Sequence, residues 1–320
     1  MSTPEPPRRP ALPSPDGPVL DWGSAGGAAG QPHPSWNWAG QTPLLPGGVP
    51  GTGPPGSPPP PTASTPGALP AESPRADPRR GWLLLAVFIV AEVTFLGASV
   101  LVLVPFALTS PQVAKGGPLP PDALVAALVV PTVLAALVAS GGAVLVGAGR
   151  NLWERLCGVL SLRWRSTDVG IGLALGLAGV ILTLPASALW AMWVGKDHAN
   201  SAVGDVFDNQ RLPAGTAAVV FLAVWLLAPL CEEVLYRGVL WRAMECWGWN
   251  RWVIFALTTV VFSFAHLELL RTPLLLVISV PIALARLLTG NLLASVVAHQ
   301  ANNFLPAVGL LLAMTGVIHA

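Results

Sequence analysis

Two carboxylates, an arginine and two imidazoles stand out in this sequence because of the segments that carry them. In LLAPLCEEVLYRGVLWRAM, residues 226–244, Glu232, Glu233 and Arg237 interrupt an apolar helical run, and His266 and His299 interrupt the runs that follow. Ionisable groups inside membrane-length segments are costly, face a protein or water-filled interior, and mark function. Glu233 and Arg237 stand four residues apart in acid-first order and can pair on one helix face, whereas Glu232 is rotated by about 100° and can point elsewhere. Phe262 shares a face with His266, and Asn303 with His299, so each neighbouring helix offers an imidazole with an aromatic or amide group one turn away. A desolvated Glu232 can take a proton from water and return it to a leaving amine; His266 can hold that water, and His299 with Asn303 can donate to a developing oxyanion. This chemistry is hydrolysis of a peptide bond without a covalent intermediate. No serine nucleophile elbow, HExxH or paired-aspartate motif competes with it.

The elements that must position these groups are membrane helices. Of the 320 residues 53% are hydrophobic and 10% charged, and the apolar runs predict eight segments at 82–108, 122–148, 168–194, 214–245, 252–268, 273–288, 291–304 and 306–318. Leu and Ala dominate them, without the alternation of a barrel strand, so the fold class is all-α: a polytopic transmembrane helical bundle of about eight spans. The net charge of +1, with arginines at segment ends, argues against a nucleic-acid partner. Cys157, Cys231 and Cys246 lack metal or disulfide spacing and read as packing residues. Residues 1–80 hold 22 of the 34 prolines and no periodicity, which predicts a disordered Pro/Gly-rich tail ahead of a membrane domain at 81–320. No cleaved signal is visible at its start. The tail reads as a tether, with Trp36, Trp38 and the PPPP run as the places where a proline-recognising partner would dock.

Helix arithmetic tests whether the polar groups can meet. With the turn after the fourth segment centred near Trp249, Glu232 lies 17 residues before it and His266 17 after it, so an antiparallel hairpin brings them to one level. A tight turn at Thr289-Gly290-Asn291 then returns His299 to within roughly 10 Å of that level. Trp241, Trp247, Trp249 and Trp252 read as an interfacial belt about 14 Å from Glu232. Arg75, Arg79 and Arg80 precede the first span and Arg150, Arg155, Arg163 and Arg165 follow the second. By the positive-inside rule both termini are then cytoplasmic, as is the side from which water reaches the site. NLWERLCGVLSLRWR reads as an amphipathic segment along that interface, and the small residues of LALGLAGV as a helix-packing stripe. Glu92 reads as an isolated acid, either locally hydrogen-bonded or lining a substrate path.

At these residues the sequence resembles the CPBP family of intramembrane proteases, also called the CAAX-protease and bacteriocin-processing or Abi family. The three motifs occur in order: EExxxR at Glu232–Arg237, FxxxH at Phe262–His266 and HxxxN at His299–Asn303. The resemblance covers roughly residues 168–318. It implies that Glu232 and His266 activate water, that His299 and Asn303 stabilise the oxyanion or complete the site, and that Glu233, Arg237 and Phe262 support it. The implied substrate is a membrane-associated protein or peptide, prenylated in the family's eukaryotic members. The family has been described both as metalloproteases and as glutamate-dependent proteases. Glu232, His266 and His299 could supply three ligands to a zinc or other divalent ion, but the absent HExxH favours the metal-free reading. The competing readings are a non-catalytic scaffold or bacteriocin-immunity-type binder on the same fold, and a transporter, which the lack of a visible internal repeat disfavours.

Overall fold

The computed structural model describes residues 76–110, 119–195, 201–207 and 210–318; the proline-rich stretch up to residue 75, with Trp36, Trp38 and the PPPP run, lies outside them. Among the described residues the chain forms helices and no strand. These are α1 (Pro78–Thr109), α2 (Pro121–Val146), α3 (Leu152–Leu160), α4 (Ser166–Val194), α5 (Ala202–Phe207), α6 (Ala214–Cys246), α7 (Arg251–Ala265), α8 (Thr272–Thr289) and α9 (Leu292–Thr315). Asp77 caps α1 by accepting the Arg80 N–H at 3.1 Å, and Pro78 occupies its first turn. The helix therefore starts inside the stretch expected to be tail.

Six helices, α1, α2, α4, α6, α8 and α9, are long and apolar enough to cross a membrane, against the eight segments counted in the sequence. Two causes account for the difference. The last two segments are one helix, because α9 runs through Pro306 without breaking; the single N–H that proline removes is tolerated inside a bundle. The segment at 252–268 yields only the 15-residue α7, about 22 Å long.

Hydrogen bonds show which helix ends lie together. Asp77 N donates to Cys246 O at 2.8 Å and Leu292 N to Ser161 O at 3.3 Å. Asn291 accepts from Arg163 N and donates to Arg163 O and Asp168 Oδ2, and Arg251 donates to Leu287 O. The start of α1, α3 with its flanks, the α6–α7 turn and the α8–α9 turn thus form one end of the bundle. At the other end Leu212 N donates to Met314 O at 3.1 Å and Arg211 Nη1 to Ala313 O at 2.8 Å. The described ends of the chain, Ala76 and Ile318, therefore lie at opposite ends. The expectation of two cytoplasmic termini rested on an even number of crossings, and fusing the last two segments into α9 changes that parity.

The small-residue stripe of α4 is a packing seam. A Cβ on Gly172 would lie 2.4 Å from Ala294 O, and one on Gly176 2.6 Å from Ala298 O. Only hydrogen fits there, so α4 and α9 approach backbone to backbone, which fixes the helix that carries His299. The helix expected along the interface is α3, whose Leu152 and Trp153 are exposed while Val159 and Leu160 pack into the main core cluster. The tryptophan belt needs one correction: Trp249 and Trp252 are exposed, but Trp241 is 1% exposed. Its indole donates to Glu245 at 2.8 Å and its ring lies beneath the Arg286 guanidinium, 5.6 Å away.

Candidate active site

Four helices bring the chemically competent groups together. Glu92 lies fourteen residues after Pro78 in α1, Glu232 fourteen before Cys246 in α6, and His266 fifteen after Arg251 at the end of α7. All three helix ends belong to the same face of the bundle, so the three side chains share a level about 21 Å from it. His299, in α9, joins them from the side.

Locally α6 is not a regular helix. It widens into π-helical turns at Ala223–Leu227 and Val234–Leu240, on either side of the turn that carries Glu232 and Glu233. Such turns concentrate at functional sites. Pro229 contributes, since it has no N–H to donate back into the first widened turn. Carbonyls freed there are taken up by α9: Gln300 Nε2 donates to Leu226 O at 3.3 Å and Asn303 Nδ2 to Val224 O at 3.4 Å.

Beneath the site lies a buried ion pair. Arg237 Nη1 donates to Glu233 Oε1 at 3.1 Å with both side chains 0% exposed, and the guanidinium lies 4.3 Å from the Phe262 ring centroid. His299 Nδ1 lies 3.0 Å from the same Glu233 oxygen, and its Nε2 faces Glu232 Oε2 at 3.7 Å. Glu232 keeps 29% of its side chain exposed. His266 Nδ1 lies 2.9 Å from Phe262 O, a carbonyl that can only accept; Nδ1 is therefore the donor, and in the neutral tautomer that fits this bond the lone pair lies on Nε2. Phe262 packs edge-on against both imidazoles and against Tyr236.

The structure thus brings together Glu232, Glu233, Arg237, Phe262, His266 and His299. Asn303 sits one turn along α9 with one amide N–H committed to Val224 O. Two further participants escaped the sequence reading. Glu92 is not isolated: Tyr236, Glu232 and His266 all lie within its electrostatic reach. Arg286, 1% exposed, donates from Nε to Arg237 O at 3.1 Å and also to Gly290 O, tying the motif helix to the α8–α9 turn. An arginine inside the otherwise apolar run of α8 was the signal for it.

The packing around the site is uneven along the bundle. Between the site and the tryptophan-bearing end lies a closed layer, Tyr236, Arg237, Phe262, Trp241, Arg286 and Ser295, all buried. Toward the opposite end the packing opens, with Asn303 half-buried and Leu267, Leu269 and Leu270 in the α7–α8 turn exposed. The packing around Glu232 is thus tighter toward the tryptophan-bearing end than toward the opposite one. As for a metal, Glu232 and His299 present two facing donors, but among the described residues no three His, Cys, Asp or Glu side chains gather closely enough to hold an ion. The set Glu232, His266 and His299 is not assembled as a three-ligand site, and no chemical step is derived through one.

The chain is a multi-pass helical bundle with an acid–imidazole cluster held at depth over a buried ion pair. Residues 214–305 match the family described as "Type II CAAX prenyl endopeptidase Rce1-like", a span that contains all three motifs. The match is consistent with a CPBP family protein and supports an intramembrane protease-type function. A curated relative from Escherichia coli, described as "Uncharacterized 24.3 kDa protein", is 30% identical over 130 residues, or 39% of this chain and 52% of the relative. The match thus spans about half the length of that relative. No solved structure matches the chain significantly.

Proposed function

We propose that the protein is an intramembrane endopeptidase that cleaves a peptide bond of a membrane-associated protein or peptide, with Glu232 as general base and acid. The observation that carries this reading is the contrast between the two neighbouring acids. Glu233 is sealed in its pair with Arg237, while Glu232 stays partly exposed opposite His299. A water beside Glu232 and the unprotonated Nε2 of His266 loses a proton to the Glu232 carboxylate as its oxygen bonds to the scissile carbonyl carbon. The oxyanion takes donors from the His299 ring and from the Asn303 amide N–H not used by Val224. Collapse breaks the C–N bond, and the proton held on Glu232 leaves with the amine. Glu233 positions His299 by accepting from its Nδ1, and Arg237 with Phe262 holds Glu233 in place.

The reading also takes a membrane orientation. Arg79, Arg80, Arg150, Arg155, Arg163, Arg165, Arg242 and Arg251 cluster at the end of the bundle that carries the start of α1, against Arg211 and Arg271 at the other. The arginine-rich end is cytoplasmic, so the site opens on the opposite side of the membrane. The test of function is a peptide-library assay of purified protein in lipid, comparing wild type with Glu232→Gln and His266→Ala. Cleavage by wild type alone is expected. Failure of wild type to cleave, or cleavage surviving in both variants, would sink the proposal.

A further inference from the structure

The geometry points to the groove between α1 and α7 as a substrate subsite, in which Glu92 accepts a hydrogen bond from the unwound backbone of a membrane-embedded peptide. This rests on the endopeptidase reading above and adds the part of the substrate that the motifs leave unaddressed. α1 packs along α2 and against the last turns of α6 but not closely along α7. The gap is a groove of about 380 Å³ lined by Phe88, Glu92, Val260, Val261, Phe264 and Ala265. Val260 and Phe264 form its exposed rim, 40% and 49% accessible, and Phe88 and Glu92 lie at its inner end. It thus opens sideways, where lipid would lie, and ends beside Glu232 and His266.

One acceptor in this groove has no donor. Tyr236 neighbours the Glu92 carboxyl, and Glu92 Oε1 is buried without a hydrogen-bond partner among the described residues. A buried acceptor of this kind is costly unless something fills it. The occupant is specified by the chemistry. A membrane-embedded helix must unwind before its peptide bond can be attacked, and unwinding frees N–H groups that hydrocarbon cannot satisfy. The apolar rim suits a side chain of such a segment, and the Glu92 carboxyl at the inner end suits its freed N–H. Glu92 is accordingly a positioning and specificity residue, distinct from the water-activating pair.

The test separates binding from catalysis. In a Glu232→Gln background, the affinity of a dye-labelled leucine/alanine transmembrane peptide with a central Gly-Ser pair is measured in nanodiscs. Glu92→Leu is expected to weaken binding by about tenfold, the loss of one buried hydrogen bond, and Glu92→Gln, which keeps an acceptor oxygen, to recover most of it. Val260→Trp, which fills the rim without touching Glu92, is expected to weaken binding comparably while leaving the melting temperature unchanged. In the cleavage-competent protein the same changes should raise KM and leave kcat nearly constant. Binding unaffected by Glu92→Leu and Val260→Trp overturns the subsite. Wild type that binds in this Glu92-dependent way yet never cleaves overturns the endopeptidase reading and leaves the subsite standing.

Discussion

Arg237→Leu is the perturbation whose cost can be worked most directly from the structure. Both members of the Glu233–Arg237 pair are 0% exposed, so removing the guanidinium strands a carboxylate in the core. Breaking a buried pair in this way costs about 3–5 kcal/mol. Two contacts adjust the figure in opposite directions. The Phe262 ring, 4.3 Å from the guanidinium, loses a cation–π partner, and His299, 3.0 Å from the same Glu233 oxygen, can hold a proton and offset part of the lost charge. The expected net loss is about 3 kcal/mol, roughly a hundredfold in the folded-to-unfolded ratio. The double variant Glu233→Gln/Arg237→Leu carries no stranded charge, and should sit within about 1 kcal/mol of wild type. The assay is an SDS titration of the detergent-solubilised protein followed by tryptophan fluorescence, run as a double-mutant cycle. A coupling energy of at least about 2 kcal/mol is expected. A value under about 0.5 kcal/mol, as exposed pairs give, would refute the assignment of this pair as the sealed support of the site.

Other outcomes follow from the same contacts. Gly176→Leu forces a side chain into a gap where even a Cβ would meet Ala298 O at 2.6 Å; it should cost about 1–3 kcal/mol and cut cleavage more than Gly170→Leu, at a glycine with open space around it. With the native cysteines replaced, Leu270→Cys should react with a membrane-impermeant maleimide on intact cells and Trp153→Cys only after permeabilisation; the reverse pattern would turn the proposed orientation over. Prolonged treatment with a tight zinc chelator should leave cleavage intact, and loss of activity restored by added zinc would replace the glutamate mechanism with a metal one.

How much of this was legible before the structure depends on which geometric quantity the sequence carries. Residue counting fixes height along a helix, so Glu232 and His266 could be brought to one level from the turn near Trp249, and His299 near it from the turn at Thr289-Gly290-Asn291, and the glycines of α4 marked a close seam. Counting fixes neither the direction in which a side chain points across a bundle nor which helices are neighbours. Glu92 therefore looked isolated until α1 was seen beside α6. Trp241 looked interfacial by its height, but it faces inward onto Arg286. The closed layer around Phe262 and Arg237 is likewise a property of facing directions. Pro306 misled for a different reason: its local preference against a helix interior was outweighed by the requirement that backbone groups in a membrane be satisfied within one continuous helix.

The adjacency of two glutamates makes physical sense only if they are not equivalent. A lone carboxylate at this depth would be expensive to keep charged, and a carboxylate fully neutralised by arginine would be a poor base. The motif separates these demands by the 100° rotation between neighbouring helix positions. Glu233 turns inward to Arg237 and, through one oxygen, also fixes His299 by its Nδ1; the other nitrogen of that ring is then aimed at Glu232 across 3.7 Å. The buried pair thereby acts on the exposed acid without touching it, through the orientation of one imidazole. Shortening the support with Glu233→Asp would withdraw its oxygen from His299 by about one C–C bond, roughly 1.5 Å. The 3.0 Å contact would then lie outside hydrogen-bond range. Activity should fall on that change even though charge is conserved, with KM little altered because Glu233 does not line the groove. Full activity in Glu233→Asp would mean that His299 is held by something other than Glu233, and that the two acids do not divide the work in this way.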